Sequence, residues 1–348
     1  MNLRIKNLQE KIAKELLDGF VSFNPSNILY LTGIRLENSF VFVSRKDIIL
    51  VVSKLNYPSA EKYANCPPWR IQIASDKFFR RYKNKKIGFD NSISVARLEK
   101  LEKIKGVKFF ATGEPTWKSC SNFIEGIRQI KDQSEIKKIK TACKISQKAI
   151  TYTSKKLKAG ITEKELADEL EYFLRKSGAE KSAFDIIVAS GENTANPHHK
   201  PTNRKIQKDD VVLVDLGCIY ENYNSDLTRT FFLGKISRYA ENVFEIVKES
   251  QKKAISVIKD GASCKKVDFA ARNFIDKNSF GKYFIHGTGH GVGIDIHEEP
   301  SIFAKSEMVL KAGMIVTVEP GIYIPNRFGI RIEDTVLVTK TGYEVLTR

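Results

Sequence analysis

Two apolar runs in the second half of the chain each lead straight into an acid and then a glycine. Val211 to Val214 meets Asp215, and a second acid, Asp226, follows eleven residues later. Met314 to Tyr323, MIVTVEPGIY, meets Glu319, and Glu333 in GIRIED follows fourteen residues later. Valine-rich runs of this length predict buried strands. A buried strand carries a carboxylate inward only where a cation awaits it, and a metal ion is the cation that fits.

The likeness between the two stretches extends upstream. Apolar residues at helical spacing (Ile136, Ile139, Cys143, Ile150, Leu157) precede LKAGIT, and a second set (Val243, Phe244, Val247, Ala254, Ile258) precedes IKDGAS. Gly160 and Gly261 suit the left-handed position that ends a helix. Thr162 and Ser263 suit the N-cap of the next one, and Thr162 with Glu165 spells a capping box. From about residue 131 the chain therefore reads as two copies of helix, helix and paired strands, each supplying two carboxylates to a shared centre.

Residues 1–129 read as a separate α/β domain ahead of a second domain at 130–348. The segment MNLRIKNLQEKIAKELL predicts a helix. Short strands are expected at Gly19–Phe23, Asn27–Leu31, Phe40–Val43, Ile48–Val52, Ile71–Ile73, Ile87–Phe89 and Val107–Phe110, with helices at Tyr57–Ala64 and Val95–Lys105. This alternation predicts a mixed sheet flanked by helices. Asn24, Pro25 and Asn27 read as turn residues, and Trp69 and Trp117 as packing residues. The polar stretch Arg128 to Ser134 marks the boundary.

Composition changes this picture little. Of 348 residues 42% are hydrophobic, which excludes wholesale disorder. The net charge of +17 would attract anions, but the lysines are scattered along helices and turns without interleaved aromatics, so a solvated surface is expected rather than a nucleic-acid partner. No apolar run is long enough to span a membrane, and the first residues lack a signal-peptide core. Five cysteines (Cys66, Cys120, Cys143, Cys218, Cys264) form no CxxC pair, which fits a reducing, cytoplasmic compartment. Cys218 reads as a small packing residue.

Five histidines, His198, His199, His286, His290 and His297, frame the acids. HGTGHGVGIDIHEE sets three of them among glycines, where backbone can approach a ligand closely. Four carboxylates with one imidazole form a mostly hard donor set suited to manganese, iron, cobalt or zinc. Two such ions sharing carboxylates can activate a water between them, which is hydrolytic equipment.

VDLG with SDLTRTF, HGTGHGVG with DIHE, TVEPGIY and GIRIED together resemble the metallopeptidases of the pita-bread fold, the group that contains methionine aminopeptidase, aminopeptidase P, prolidase and creatinase. The resemblance implies an α+β chain, with a creatinase-like α/β domain before a pita-bread domain of internal pseudo-two-fold symmetry. It implies Asp215, Asp226, His290, Glu319 and Glu333 as ligands of two divalent ions, with Asp226 and Glu333 bridging. It further implies His198 and His297 as non-ligand groups steadying substrate and intermediate, Glu319 as proton shuttle for a metal-bridging hydroxide, and a homodimer.

The preceding domain and Arg331, which could brace Glu333 or a substrate group, are similar to the proline-specific branch. The expected activity is removal of an amino-terminal residue from Xaa-Pro peptides, as dipeptidase or aminopeptidase. Ala195-Asn196 departs from the residues usual before the Pro-His of this loop, which touches the substrate pocket rather than the metal site. His199 reads as a bystander, and His286 as either a support for the ligands or plain structure. The alternatives are an aminopeptidase of the same fold without proline preference and a non-catalytic binding module.

Overall fold

The computed structural model describes residues 3–65, 70–75, 77–82, 85–103, 108–111 and 122–348, in two compact units, Met1–Arg128 and Gln129–Arg348. The expectations for Cys66, Trp69, Ile104, Lys105, Val107, Trp117 and Cys120 lie outside the described residues.

The first unit holds a mixed six-stranded sheet. Its strands are β1 (Gly19–Ser22), β2 (Phe40–Ser44), β3 (Ile48–Val52), β4 (Arg70–Ile73), β5 (Lys86–Phe89) and β6 (Lys108–Ala111), in the order β4-β3-β2-β1-β5-β6. The β1–β2 and β2–β3 pairs are antiparallel, and the other three are parallel. Val21, Phe42, Ile49, Val51 and Ile87 pack with Phe78 and Phe79 in one core.

Helices α1 (Leu3–Lys14), α2 (Pro25–Thr32), α3 (Tyr57–Tyr63), α4 (Val95–Glu102) and α5 (Glu125–Arg128) complete the unit. The α2 helix corrects the strand expected at Asn27–Leu31. Asn24 caps it through the amides of Ser26 and Asn27, Pro25 occupies the first turn, and Gly33 ends it at φ 78°. Asn27 is no turn residue either: it is buried, donating to Glu125 and accepting from Arg128.

The second unit is built twice over. Helices α6 (Gln133–Lys156) and α7 (Glu163–Lys176) precede β7 (Lys181–Ser182), β8 (Ile187–Ser190), β9 (Val211–Leu216), β10 (Cys218–Tyr220), β11 (Tyr223–Asn224) and β12 (Leu227–Phe232). Helices α8 (Arg238–Ser256) and α9 (Cys264–Lys277) then precede β13 (Gly289–Gly291), β14 (Glu298–Ile302), β15 (Ile315–Val318), β16 (Gly321–Ile324), β17 (Phe328–Arg331), β18 (Asp334–Val338) and β19 (Tyr343–Val345). The sheets run β12-β9-β8, β11-β10-β7, β14-β13-β15-β18-β19 and β16-β17.

The halves repeat hydrogen bonds as well as elements. Gly160 N donates to Ile206 O and Gly261 N to Leu310 O, each at 2.9 Å. Single antiparallel bridges join Thr162 to Lys205 and Ser263 to Val309. Both glycines have the left-handed φ that their helix ends require, 95° and 81°.

Four-residue spacing fixes which faces are buried. Leu166, Leu170 and Leu174 of α7 pack on Val188, Val212 and Val214, while Val267, Ala271 and Ile275 of α9 pack on Val316, Val318 and their neighbours. Truncating any of those leucines to alanine costs about 2–5 kcal/mol. Among the described residues no helix is long and apolar enough to cross a membrane.

Candidate metal centre

Strand register brings the acids together. Asp215 on β9 pairs with Thr228 on β12, and Asp226, two residues before Thr228, falls on the same face as that threonine. The β15–β18 ladder ends at Val318 opposite Asp334, so the next residues outward are Glu319 and Glu333. Thr228 stitches the halves: its carbonyl accepts from Glu333 N at 3.2 Å, and its hydroxyl donates to Glu333 Oε2 at 2.7 Å.

His290 arrives on β13 beside β15. A Cβ on Gly289 would lie 2.0 Å from the Thr317 carbonyl, so the close approach needs glycine there. Thr317 then accepts from His290 N at 3.0 Å and donates to Glu319 Oε1 at 3.1 Å.

The result is a cavity of about 450 Å³ that Asp215, Asp226, His198, His290, His297, Glu319, Arg331 and Glu333 all line. Ligand atoms of Asp226, His290 and Glu333 lie within 4.8 Å of one another. His290 Nε2 stands 3.6 Å from Asp226 Oδ2 and 3.3 Å from Glu319 Oε1. Burial lowers the pKa of His290, which disfavours the charged ring at both contacts. Its Nδ1–H donates to the Gly291 carbonyl at 3.0 Å, which leaves Nε2 as a bare lone pair directed among carboxylates.

The carboxylates are short of partners in the same way. Burial raises the pKa of Asp226 and Glu333, and neighbouring acids raise both further. Burial raises Glu319 too, against the opposing pull of His286 and Arg331. Asp215 Oδ1 and Glu333 Oε1 are buried without a hydrogen-bond partner. Buried oxygens of this kind are costly unless something cationic satisfies them, and with an imidazole lone pair beside them they form the donor set that suits divalent ions.

Arg331 is the counter-charge within this wall. The sequence offered Glu333 or a substrate group as its partner, but its Nη2 donates to Asp215 Oδ2 at 2.6 Å, Nη1 to Tyr323 Oη at 2.8 Å and to Pro197 O at 3.4 Å, and Nε to the Thr228 hydroxyl at 3.1 Å. Glu333 is held by Thr228 instead. Tyr323 Oη donates in turn to His286 Nε2 at 2.9 Å, while His286 Nδ1–H donates to Gly287 O at 2.7 Å. His286 thus supports Arg331 through Tyr323. Tyr323 and Thr228 went unremarked in the sequence. The hairpin register could have revealed Tyr323: Gly321 pairs with Arg331, and Tyr323, two residues on, shares that face.

The remaining histidines divide. His297 packs its ring 4.4 Å from that of His290, and burial first, then the neighbouring His290 ring, lowers its pKa. His198 is exposed on the cavity wall, its amide donating to Asn196 Oδ1 at 3.2 Å. His199 is no bystander: its Nε2 lies 2.9 Å from the buried Glu163 Oε2. Cys218 is fully buried beside Ser146 and Ser225, and burial raises its thiol, as suits a packing residue.

The description "Metallopeptidase family M24" matches residues 137–340, and "Creatinase/Prolidase N-terminal domain" matches residues 4–130. The Xaa-Pro dipeptidase of Pyrococcus horikoshii is 37% identical over 350 residues, covering 100% of this chain and 97% of that protein. The chain belongs to metallopeptidase family M24. Among solved structures it superposes on the prolidase from Pyrococcus horikoshii OT3 with a TM-score of 0.93 at 36% identity, covering 100% of this chain and 98% of that one. The X-Pro aminopeptidase from Thermotoga maritima MSB8 gives a TM-score of 0.87 at 32% identity, covering 98% of this chain and 97% of that one. This metallopeptidase accordingly pairs a creatinase-type amino-terminal domain with a pita-bread domain.

Proposed function

We propose that this metallopeptidase hydrolyses the bond between an amino-terminal residue and a following proline, as an Xaa-Pro dipeptidase or aminopeptidase. In this reading Asp215, Asp226, His290, Glu319 and Glu333 hold two divalent ions in the 130–348 domain. The observation that carries it is the convergence of these five side chains on one cavity with a bare imidazole nitrogen and two unsatisfied carboxylate oxygens. The family, with an Xaa-Pro dipeptidase and a prolidase among the members that resemble this chain, supports the proline preference.

Bound there, the ions would supply Lewis acidity and lower the pKa of water. The rest falls to the chain's own residues. Arg331 neutralises Asp215 and keeps its carboxylate turned into the cavity. Glu319, its pKa raised by burial, takes a proton from the water that attacks the scissile carbonyl and passes it to the leaving proline nitrogen. His297 and His198 offer ring N–H groups to the oxyanion that develops on the scissile carbonyl. A tertiary amide before proline presents no N–H, so a dedicated pocket is required. Free buried thiols at Cys143, Cys218 and Cys264 support a cytoplasmic setting, and a homodimer belongs to the same reading.

The test is hydrolysis of Ala-Pro, Ala-Pro-Ala and Ala-Ala-Ala by metal-stripped protein, with and without manganese or cobalt. Cleavage of Ala-Pro alone makes it a dipeptidase, and cleavage of both proline peptides an aminopeptidase. Preference for Ala-Ala-Ala defeats the proline assignment. Glu319→Gln should lower kcat by roughly 100- to 10,000-fold with an unchanged circular-dichroism spectrum, and retained activity would remove Glu319 from the proton path.

A further inference from the structure

The segment Gly191–Pro201 leaves β8, carries Pro197, His198 and His199 along the cavity wall, and returns at Thr202. Both feet of this strap are tied to one side chain. Glu163, the first residue of α7, is fully buried. Its Oε1 accepts from Ser190 N at 2.8 Å, Ser190 Oγ at 2.7 Å and Asn193 Nδ2 at 2.9 Å, on the outgoing side. Its Oε2 accepts from His199 Nε2 at 2.9 Å, Thr202 N at 3.1 Å and Thr202 Oγ1 at 2.7 Å, on the returning side.

Six polar groups face the carboxylate; the two backbone amides and the Asn193 amide can only donate, and only the ionised form accepts from all six. Burial alone would raise its pKa, but the bonds from Asn193, Ser190, Thr202 and His199 outweigh that and hold it at about 2. The amino-terminal end of α7 favours the same charge. With Glu163 ionised, His199 must present Nε2–H to it, which fixes that ring's tautomer. Arg204 repeats the tie from outside, donating to Ser190 Oγ at 2.6 Å and to Asp210 Oδ2 at 2.6 Å. From the cavity side Arg331 reaches Pro197 O.

We infer that Glu163 is a positioning residue for peptide hydrolysis: by closing the base of the Gly191–Pro201 strap it sets where His198 meets the substrate, without touching substrate or metal ligands. The role of His198 rests on the function proposed above. The bridge matters because a strap of this length has many conformations, and an error of about an ångström at a reacting group costs on the order of 100-fold in rate. Glu163→Gln keeps the shape but turns one acceptor oxygen into an amide donor that faces other donors.

The experiment is a double-mutant cycle in the full-length, metal-loaded enzyme with Glu163→Gln, His198→Ala and both together, on whichever peptide of the panel the wild type cleaves best. A failed proline assignment therefore changes the peptide and not the cycle. Glu163→Gln should lower kcat/KM by roughly 10- to 100-fold with metal affinity by calorimetry unchanged, and should cost far less in the His198→Ala background. Thr202→Val, which removes only one hydroxyl from the returning side, keeps the fold and should shift kcat/KM the same way by less. Hydrogen exchange at the amides of Ser190 and Thr202 reads the strap without any peptide and should quicken in Glu163→Gln. Equal loss in both His198 backgrounds, loss of metal affinity, or unchanged exchange at those amides would each overturn the inference.

Discussion

Thr162 and Ser263 hold the same place in the two halves of the carboxy-terminal unit, ahead of α7 and α9, and each bridges to the strand-like segment that returns to it. Thr162 closes a capping box with Glu165, whereas Ser263 makes no side-chain cap bond. The next residue diverges further: Glu163 in the first half is the buried carboxylate that holds a pocket strap, and its counterpart is the buried thiol Cys264.

The second half anchors its own pocket segment differently. Asp268, one turn further along α9, accepts from Arg272 and from the Thr288 hydroxyl, and Arg272 donates to the carbonyls of Phe284 and His286. Both halves share the same backbone bonds, and each uses its own side chain to fix the segment facing the cavity. The first uses a lone anion among neutral donors and one histidine, and the second an ion pair.

The largest effect should come from the proposed ligands, where the halves are expected to be equal. Asp226→Asn and Glu333→Gln should each lower metal affinity in calorimetry by at least about 100-fold, beyond the loss typical of an outer partner. Wild-type affinity in either variant would break the symmetry of the centre. Arg331→Met should follow in the metal-free protein, because there it strands Asp215 as an uncompensated buried charge. A loss of about 3–5 kcal/mol in chemical denaturation is expected, and an unchanged midpoint would show that Asp215 does not need its partner.

The anchor of the first half should weaken in acid. Glu163 is depressed from its ordinary 4.5 to about 2, so its contribution to stability is complete above about 4.5 and is lost as pH falls towards 2. Glu163→Gln should remove that acid limb from a plot of stability against pH, and persistence of the full limb would assign it to other carboxylates. The smallest contrast concerns the caps. Thr162→Ala should cost about 1 kcal/mol, against less than about 0.5 for Ser263→Ala; equal costs would mean that the capping box adds nothing.

The chain pattern by itself determined the parts whose physics is local. Apolar runs gave the strands β9 and β15, spacing gave the helices α6 and α8, and glycines with following hydroxyls gave their ends and the starts of α7 and α9, because propensity, periodicity and capping act over a few residues. Each acid at a strand end was legible for the same reason, since a carboxylate after buried valines is locally anomalous. The α2 helix was misread because Asn24, Pro25 and Asn27 serve a turn and a helix start equally well, and only the bonds of Asn27 to Glu125 and Arg128 separate the two.

What the sequence could not decide was partnership across long separations. Arg331 lies two residues from Glu333 yet pairs with Asp215, 116 residues away, because strand alternation and the β16–β17 hairpin turn its side chain there. Glu163 drew no attention in the sequence, and only folding buries it among donors from residues 190–202. Local signals place a charged group on an element, but which opposite charge or donor it meets depends on how distant elements pack, and the tertiary structure alone decides that.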